Sequence, residues 1–215
     1  MTARFCTSDG LSLAYDETGA GHPLLCLAGL TRNMADFEPV VARFEGLARV
    51  IRLDARGRGL SDRDPDWRNY NLMREGRDAL ELLDHLGLER ASILGTSRGG
   101  LIALTLGVSH ADRLAGAILV DIGPRLDSEG LAQIMEYLGS RPAFRSYAEA
   151  AEKLPAAMAP RFANVPAATW RAYAERLWSE GQDGLDLRYD PALRQAVQEA
   201  SSPGAMPDLW PLFDA

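Results

Sequence analysis

The chain is poor in the residues that would commit it to several chemistries. It has two cysteines, Cys6 and Cys26, each inside a strand-like stretch. That is no disulfide framework, and both read as small buried hydrophobes. A surplus of positive charge is also missing. Lys and Arg number 23 against 30 Asp and Glu, a net charge of -7, so bulk electrostatics give no reason to expect nucleic acid as a partner. No segment approaches the roughly 20 apolar residues that cross a bilayer, and the first ten residues carry no apolar signal core. The expectation is a cytoplasmic protein without a membrane partner. The glycine-rich stretches lack the third glycine of a dinucleotide fingerprint and any Gly-Lys-Ser/Thr phosphate loop; no cofactor or metal is expected.

What is present is an ordinary globular composition, 47% hydrophobic and 25% charged over 215 residues. That suffices for one sizeable core, or a core plus a small lobe. In the first half, strand and helix signals alternate. Residues 4–7 and 11–16 flank Ser8-Asp9-Gly10 as a hairpin. Residues 23–28 form a buried strand, 35–44 a short helix, and 49–53 a strand ending at Asp54. After a polar loop, Leu72, Leu80, Leu83 and Leu86 recur at helical spacing over 72–86, with charges on the other face. A strand then leads to Ser97, a helix spans 99–109, and a strand spans 114–122. This alternation predicts an α/β fold, a mostly parallel sheet with helices on both faces. After Gly123-Pro124 clear β runs stop, and patches at 128–138, 146–157, 167–177 and 191–200 predict an all-helical lobe over the sheet. Met135, Phe144, Met158, Phe162, Trp170 and Trp178 either line an apolar pocket there or fill the lobe's own core.

The most informative segment is Gly95-Thr96-Ser97-Arg98-Gly99-Gly100, set between an apolar strand-like run and an apolar helix-like run. Gly-x-Ser-x-Gly in that setting places a serine on a sharp strand-to-helix turn. Side chains two residues to either side would clash, which Gly95 and Gly99 avoid, and Gly100 lets the helix approach closely. The serine then faces free N–H groups at a helix start, where developing negative charge is favoured. The competing reading is a simple helix cap made by the Ser97 hydroxyl.

With these residues in view, the chain resembles the α/β-hydrolase superfamily, in its small esterase-like branch with a helical cap, over nearly its whole length. Leu27-Ala28-Gly29-Leu30 stands where that family carries His-Gly after its third strand. The segment 54–62 is similar to the family's Asp-x-Arg-Gly-x-Gly-x-Ser turn, and 120–124 is similar to the exit from its sixth strand into the cap. The resemblance implies a core over 1–123, a cap over 124–205 and a return segment over 206–215. It also implies an oxyanion hole made by the backbone N–H groups of Leu30 and Arg98, with Ser97 as nucleophile and Asp121 as a candidate acid. Ala28 in place of the usual His leaves backbone donors available but alters the loop. The 54–62 segment reads better as a structural turn with local ion pairs than as a catalytic site. Arg98 reads as a solvated helix-start side chain, with steering of an acidic substrate group as the alternative.

A serine nucleophile needs a base and an orienting acid. His22 precedes a strand, on the far side of the sheet; His85 and His110 lie near helix C-termini. None has the position of a base, and nothing near residue 215 matches the family order of Ser, acid, His. Residues 114–122 are apolar on both faces, as suits an interior strand rather than an exposed edge. The expectation is an incomplete hydrolase chain, inactive as it stands, whose last strands and base are missing. The function expected is a serine hydrolase of carboxylic esters, lactones or related acyl compounds, with an apolar acyl compound as small-molecule partner. The alternatives are a non-catalytic ligand-binding or signalling protein, and a carbon–carbon bond hydrolase or cofactor-free peroxidase. Ser97 argues against the epoxide hydrolases and haloalkane dehalogenases of this fold, which use Asp at that position.

Overall fold

A computed structural model describes residues 2–125, 127–158, 162–200 and 208–213. Six strands form one sheet in the order β1-β2-β4-β3-β5-β6. They are β1 (Ala3–Cys6), β2 (Ser12–Thr18), β3 (His22–Leu27), β4 (Ala48–Leu53), β5 (Ala91–Thr96) and β6 (Leu114–Val120). The hairpin β1–β2 is antiparallel, as is β2 on β4; β4, β3, β5 and β6 run parallel.

Side-chain alternation along these strands assigns the two faces. Leu25, Leu27, Ile51, Leu53 and Ile93 join one core with Ala79, Leu82 and Leu83 of α2 (Leu72–His85) and Ile102 and Leu106 of α3 (Arg98–Ser109). Leu24, Cys26, Val50 and Leu94 join another with Phe37 and with Val40, Val41 and Phe44 of α1 (Glu38–Phe44). The sheet is therefore covered on both faces, each fully buried aliphatic side chain contributing about 1.5–3 kcal/mol. The expected 35–44 helix is split into a 3-10 turn over Met34–Phe37 and α1, and Pro39 stands at the start of α1, where its missing N–H costs nothing.

Three expectations need correction. Cys26 is buried, and burial pushes its thiol pKa up to about 12, but Cys6 is exposed. The charges of α2 do not all lie on its outer face, because Glu75 and Asp78 are buried with the leucines. The segment after Gly123 is also not all helical. Helices α4 (Ser128–Tyr137), α5 (Tyr147–Met158) and α6 (Ala167–Leu177) lead into an antiparallel hairpin, β7 (Trp178–Gly181) and β8 (Gly184–Leu187), before α7 (Leu193–Ala200) and α8 (Trp210–Phe213). Leu185 and Leu187 are buried on alternate positions, a period of two that marks a strand. Gly184 turns at φ +126, where an added Cβ would stand 2.9 Å from the Phe144 carbonyl oxygen.

Trp170 packs with Ala150, Leu154, Ala174 and Leu185, flanked by Phe144, Met158 and Trp178. Phe162 meets Trp170 edge-on, and Met135 joins a cluster with Tyr70, Leu138 and Tyr189. Apart from Phe162, which is half exposed, these side chains thus fill cores within and beneath the described part of the 127–200 segment. Beyond it, the Leu209 N–H reaches the Pro124 carbonyl at 2.9 Å, bringing the chain back to the exit from β6. The expected boundary between 205 and 206 lies outside the described residues.

Candidate active site

The end of β5, the start of α3 and the loop after β3 meet at one point. Ser97 joins β5 to α3 at φ +51 and ψ -110, a conformation that non-glycine residues hold only when their surroundings over-determine it. The surroundings are tight. A Cβ on Gly95 would stand 2.4 Å from the Gly99 carbonyl oxygen, one on Gly99 2.0 Å from that of Leu27, and one on Gly100 2.6 Å from Ile122 Cγ2. The Ser97 N–H donates to the Val120 carbonyl at 2.8 Å, and its own carbonyl accepts from Leu101 at 3.1 Å. Its hydroxyl makes no capping hydrogen bond, so the capping role is not what holds the residue in place.

The loop after β3 passes close by: a Cβ on Gly29 would be 3.8 Å from Ser97 Cβ. The Gly29 carbonyl accepts from the Arg32 N–H at 3.1 Å, closing a turn around Leu30. Among the described residues the Leu30 N–H has no acceptor. Arg98 is the first residue of α3, so its N–H has no partner within the helix.

The Arg98 side chain is neither solvated nor free to steer a ligand. It is 14% exposed and forks onto Glu75, Nε to Oε2 and Nη2 to Oε1 both at 2.8 Å, while Nη2 also reaches the Tyr70 carbonyl at 3.0 Å. Glu75 accepts from Arg58 Nη1 at 3.0 Å as well. Burial opposes ionisation of Glu75, but the two guanidinium groups outweigh it and hold its pKa below the usual carboxylate value. Arg58 Nε in turn donates to the Leu30 carbonyl at 2.9 Å. Neither Glu75 nor Arg58 was identified from the sequence. The available signal was that Glu75, three residues after Leu72 and four before Ala79, falls on the apolar stripe of α2.

The 54–62 segment is a junction between layers. The Asp54 carboxylate accepts from the Met34 and Leu60 N–H groups at 2.6 and 2.8 Å. Burial raises its pKa to about 6 against these hydrogen bonds. Arg56 is buried among carboxylates, bound to Asp78 through Nε and Nη2 at 2.7 Å each, to Asp9 at 3.0 Å, and to Asp64. Gly59 donates to the Arg188 carbonyl and Gly57 accepts from Asp190, both at 2.7 Å, while the Tyr70 hydroxyl donates to Asp190 at 2.7 Å. The turn thus ties the sheet to the residues after β8.

Asp121 follows the Thr96↔Val120 pair, so it lies beside Ser97. It is exposed, at φ +55, and its carboxylate makes no hydrogen bond among the described residues. The histidines are elsewhere. His22 begins β3 and bonds Ser92 at 2.8 Å, at the opposite end of the sheet from Ser97. His85 packs against the rings of Phe5, tilted, and Tyr15, edge-on. His110 follows the last turn of α3, about 18 Å along the helix from its start at 1.5 Å per residue. No group of three or more metal-ligating side chains, and no helix long and apolar enough to cross a membrane, occurs among the described residues.

Comparison with known proteins fits this geometry. A family model described as alpha/beta hydrolase fold matches residues 22–193. The chain is 32% identical over 214 residues to a 3-hydroxybutyrate-oligomer hydrolase of Cupriavidus necator, covering 94% of this chain and 72% of that protein. It is 27% identical over 203 residues to a 2-(acetamidomethylene)succinate hydrolase of Mesorhizobium japonicum, covering 94% and 70%. The crystal structure of an alpha/beta hydrolase from Novosphingobium aromaticivorans superposes with a TM-score of 0.87 at 35% identity, covering 100% of this chain and 76% of that one. Sheet order, strand-to-helix serine turn and similarity along almost the whole length agree: the chain belongs to the alpha/beta hydrolase fold family, with hydrolases as its relatives.

Proposed function

We propose that the chain carries the nucleophile and the oxyanion hole of a serine hydrolase acting on carboxylic esters, lactones or related acyl compounds with an apolar acyl group, in the cytoplasm. In this reading 1–123 is the catalytic core, 124–205 a cap and 206–215 the return segment. Ser97 Oγ attacks the carbonyl carbon, and its proton passes to a base. The carbonyl oxygen becomes an oxyanion facing the Leu30 and Arg98 N–H groups, each such donor being worth about 10²–10³ in rate. Collapse expels the alcohol, which takes the proton, and leaves an acyl ester on Ser97. Water, deprotonated by the same base, then releases the acid. His22, His85 and His110 are too far from Ser97 to be that base, so it comes from outside these residues. Asp121, beside Ser97, is the candidate acid that would orient it.

The observation that carries the proposal is the Ser97 backbone, held at φ +51 at the head of α3, with a hydroxyl that makes no capping bond and has no hydrogen-bond partner among the described residues. Free imidazole can stand in for a missing base, which gives a direct test. Hydrolysis of p-nitrophenyl acetate and labelling by a fluorophosphonate are measured with and without imidazole, for the chain and for Ser97→Ala. The expected result is imidazole-dependent turnover above the Ser97→Ala background, with the label on Ser97. No label on Ser97, or equal turnover by Ser97→Ala, rejects the serine mechanism. The placement of all three histidines favours one second reading, a protein that binds its ligand under the cap without turning it over; ligand retained without product identifies it.

A further inference from the structure

The two amide donors belong to distant parts of the chain, one in the loop after β3 and one at the start of α3. Donors to an oxyanion must lie within about 2.7–3.1 Å of it, so their mutual spacing has to be fixed by something rigid. Neither loop supplies that stiffness alone: Leu30 is held on its N-terminal side by the short turn from Gly29 to Arg32. Its carbonyl, however, accepts from Arg58 Nε at 2.9 Å, which fixes the following peptide plane. The Nη1 of the same guanidinium reaches Glu75 Oε1 at 3.0 Å. That oxygen also takes Arg98 Nη2 at 2.8 Å, and Oε2 takes Arg98 Nε at 2.8 Å. A single buried carboxylate on α2 therefore joins both donor-bearing residues through two hydrogen-bonded guanidinium groups.

We propose that Glu75 is a positioning residue that sets the spacing of the Leu30 and Arg98 N–H groups, acting through Arg58 and Arg98. The proposal rests on the serine-hydrolase reading above. Two features distinguish the cluster from ordinary packing. Buried ion clusters are weak contributors to stability, because desolvation consumes most of the Coulombic gain. Two guanidinium groups also share the one Glu75 carboxylate, and Arg58 Nη2 has no acceptor among the described residues. Arg58, Glu75 and Arg98, together with Arg32 and Asp78, line a space of about 10 Å³ behind the Gly29 loop, room for one water molecule.

The test compares the rate of fluorophosphonate labelling of Ser97 at fixed imidazole for the parent chain, Glu75→Gln, Arg58→Met and the double variant, with thermal melting recorded for each. The phosphoryl oxygen of the probe occupies the oxyanion position, so its rate reports donor spacing. Glu75→Gln and Arg58→Met are each expected to label about 10²-fold more slowly than the parent, with folded protein by near-ultraviolet circular dichroism. The double variant should be no slower than the worse single one, because residues that act as one unit are non-additive. Folded Glu75→Gln or Arg58→Met that labels at the parent rate overturns the proposal, and so do single effects that simply multiply. If Glu75→Gln does not fold, Arg58→Met decides by the same criterion. A parent chain that takes no label at all instead refutes the serine mechanism, and this inference goes with it.

Discussion

Asp54 shows what a single side chain contributes when it is buried for geometry rather than charge. Its carboxylate gathers the Met34 and Leu60 N–H groups and so ties the end of β4 to two loops. Gly59 makes that approach possible, since a Cβ there would stand 2.1 Å from Asp54 Oδ2. Burial, partly offset by those two donors, lifts the pKa from 3.8 to about 6. The folded protein therefore keeps this proton to a higher pH than the unfolded chain does. Its contribution is complete below about pH 4, falls as pH rises to about 6, and is constant beyond; two pH units correspond to a change on the order of 3 kcal/mol. Asp54→Asn cannot titrate. The melting temperature of the parent relative to Asp54→Asn should be most favourable near pH 4 and decline up to pH 6. A gap that widens with pH across that interval contradicts the burial argument.

Helix α2 is the element on which pattern and structure part company. Asn71 caps it through the Arg74 N–H, as its residue type suggests, and Leu80, Leu82 and Leu83 face the sheet. Yet Glu75 and Asp78 sit on that same face, each neutralised by arginines from the 54–62 turn and from positions 74 and 98. A hydrophobic pattern assigns charges outward because an unpaired buried charge is costly; it has no means of seeing partners 17 to 23 residues away. Asp78→Ala leaves Arg56 with Asp9 and Asp64 alone, Nε losing its acceptor and Nη2 keeping only Asp9 at 3.3 Å. The expected loss is about 3 kcal/mol, in the range seen when one member of a buried pair is removed. Adding Arg56→Met to Asp78→Ala should recover part of it, read from urea midpoints. A double variant less stable than Asp78→Ala alone would mean that Arg56 is anchored by its other carboxylates. The β7–β8 hairpin was illegible for a different reason: each strand has four residues, too short for period two to stand out from the helical patches around it. The parallel strands β3, β4, β5 and β6 were legible because each is six or seven residues long, apolar and separated from the next by a helix, and the serine turn because three close glycines leave few other backbone shapes. The Glu75 brace was not, since it exists only once three segments have met.

The whole molecule balances a net charge of -7 against one uncovered apolar edge. Among the described residues β6 pairs with β5 alone, and its outer positions leave Ile118 46% and Val120 42% exposed. A strand with free N–H and C=O groups and apolar side chains invites pairing with another chain, so the fold carries an attractive patch in an otherwise repulsive, acidic surface. Screening weakens only the repulsion, the Debye length shrinking to about 10 Å at 0.1 M salt and about 3 Å at 1 M, while the apolar attraction persists. Self-association of this 215-residue chain should therefore rise with sodium chloride, measured by light scattering at fixed protein concentration. Ile118→Lys places a charge on the edge without touching the serine turn, and should suppress scattering at every salt concentration while leaving the melting temperature within a few degrees of the parent. A surface charge elsewhere, such as Leu47→Lys at the start of β4, adds the same net change and serves as the control. Both substitutions take the net charge from -7 to about -6, which weakens repulsion, so an equal rise in scattering for both would show that overall charge rather than the β6 edge governs association.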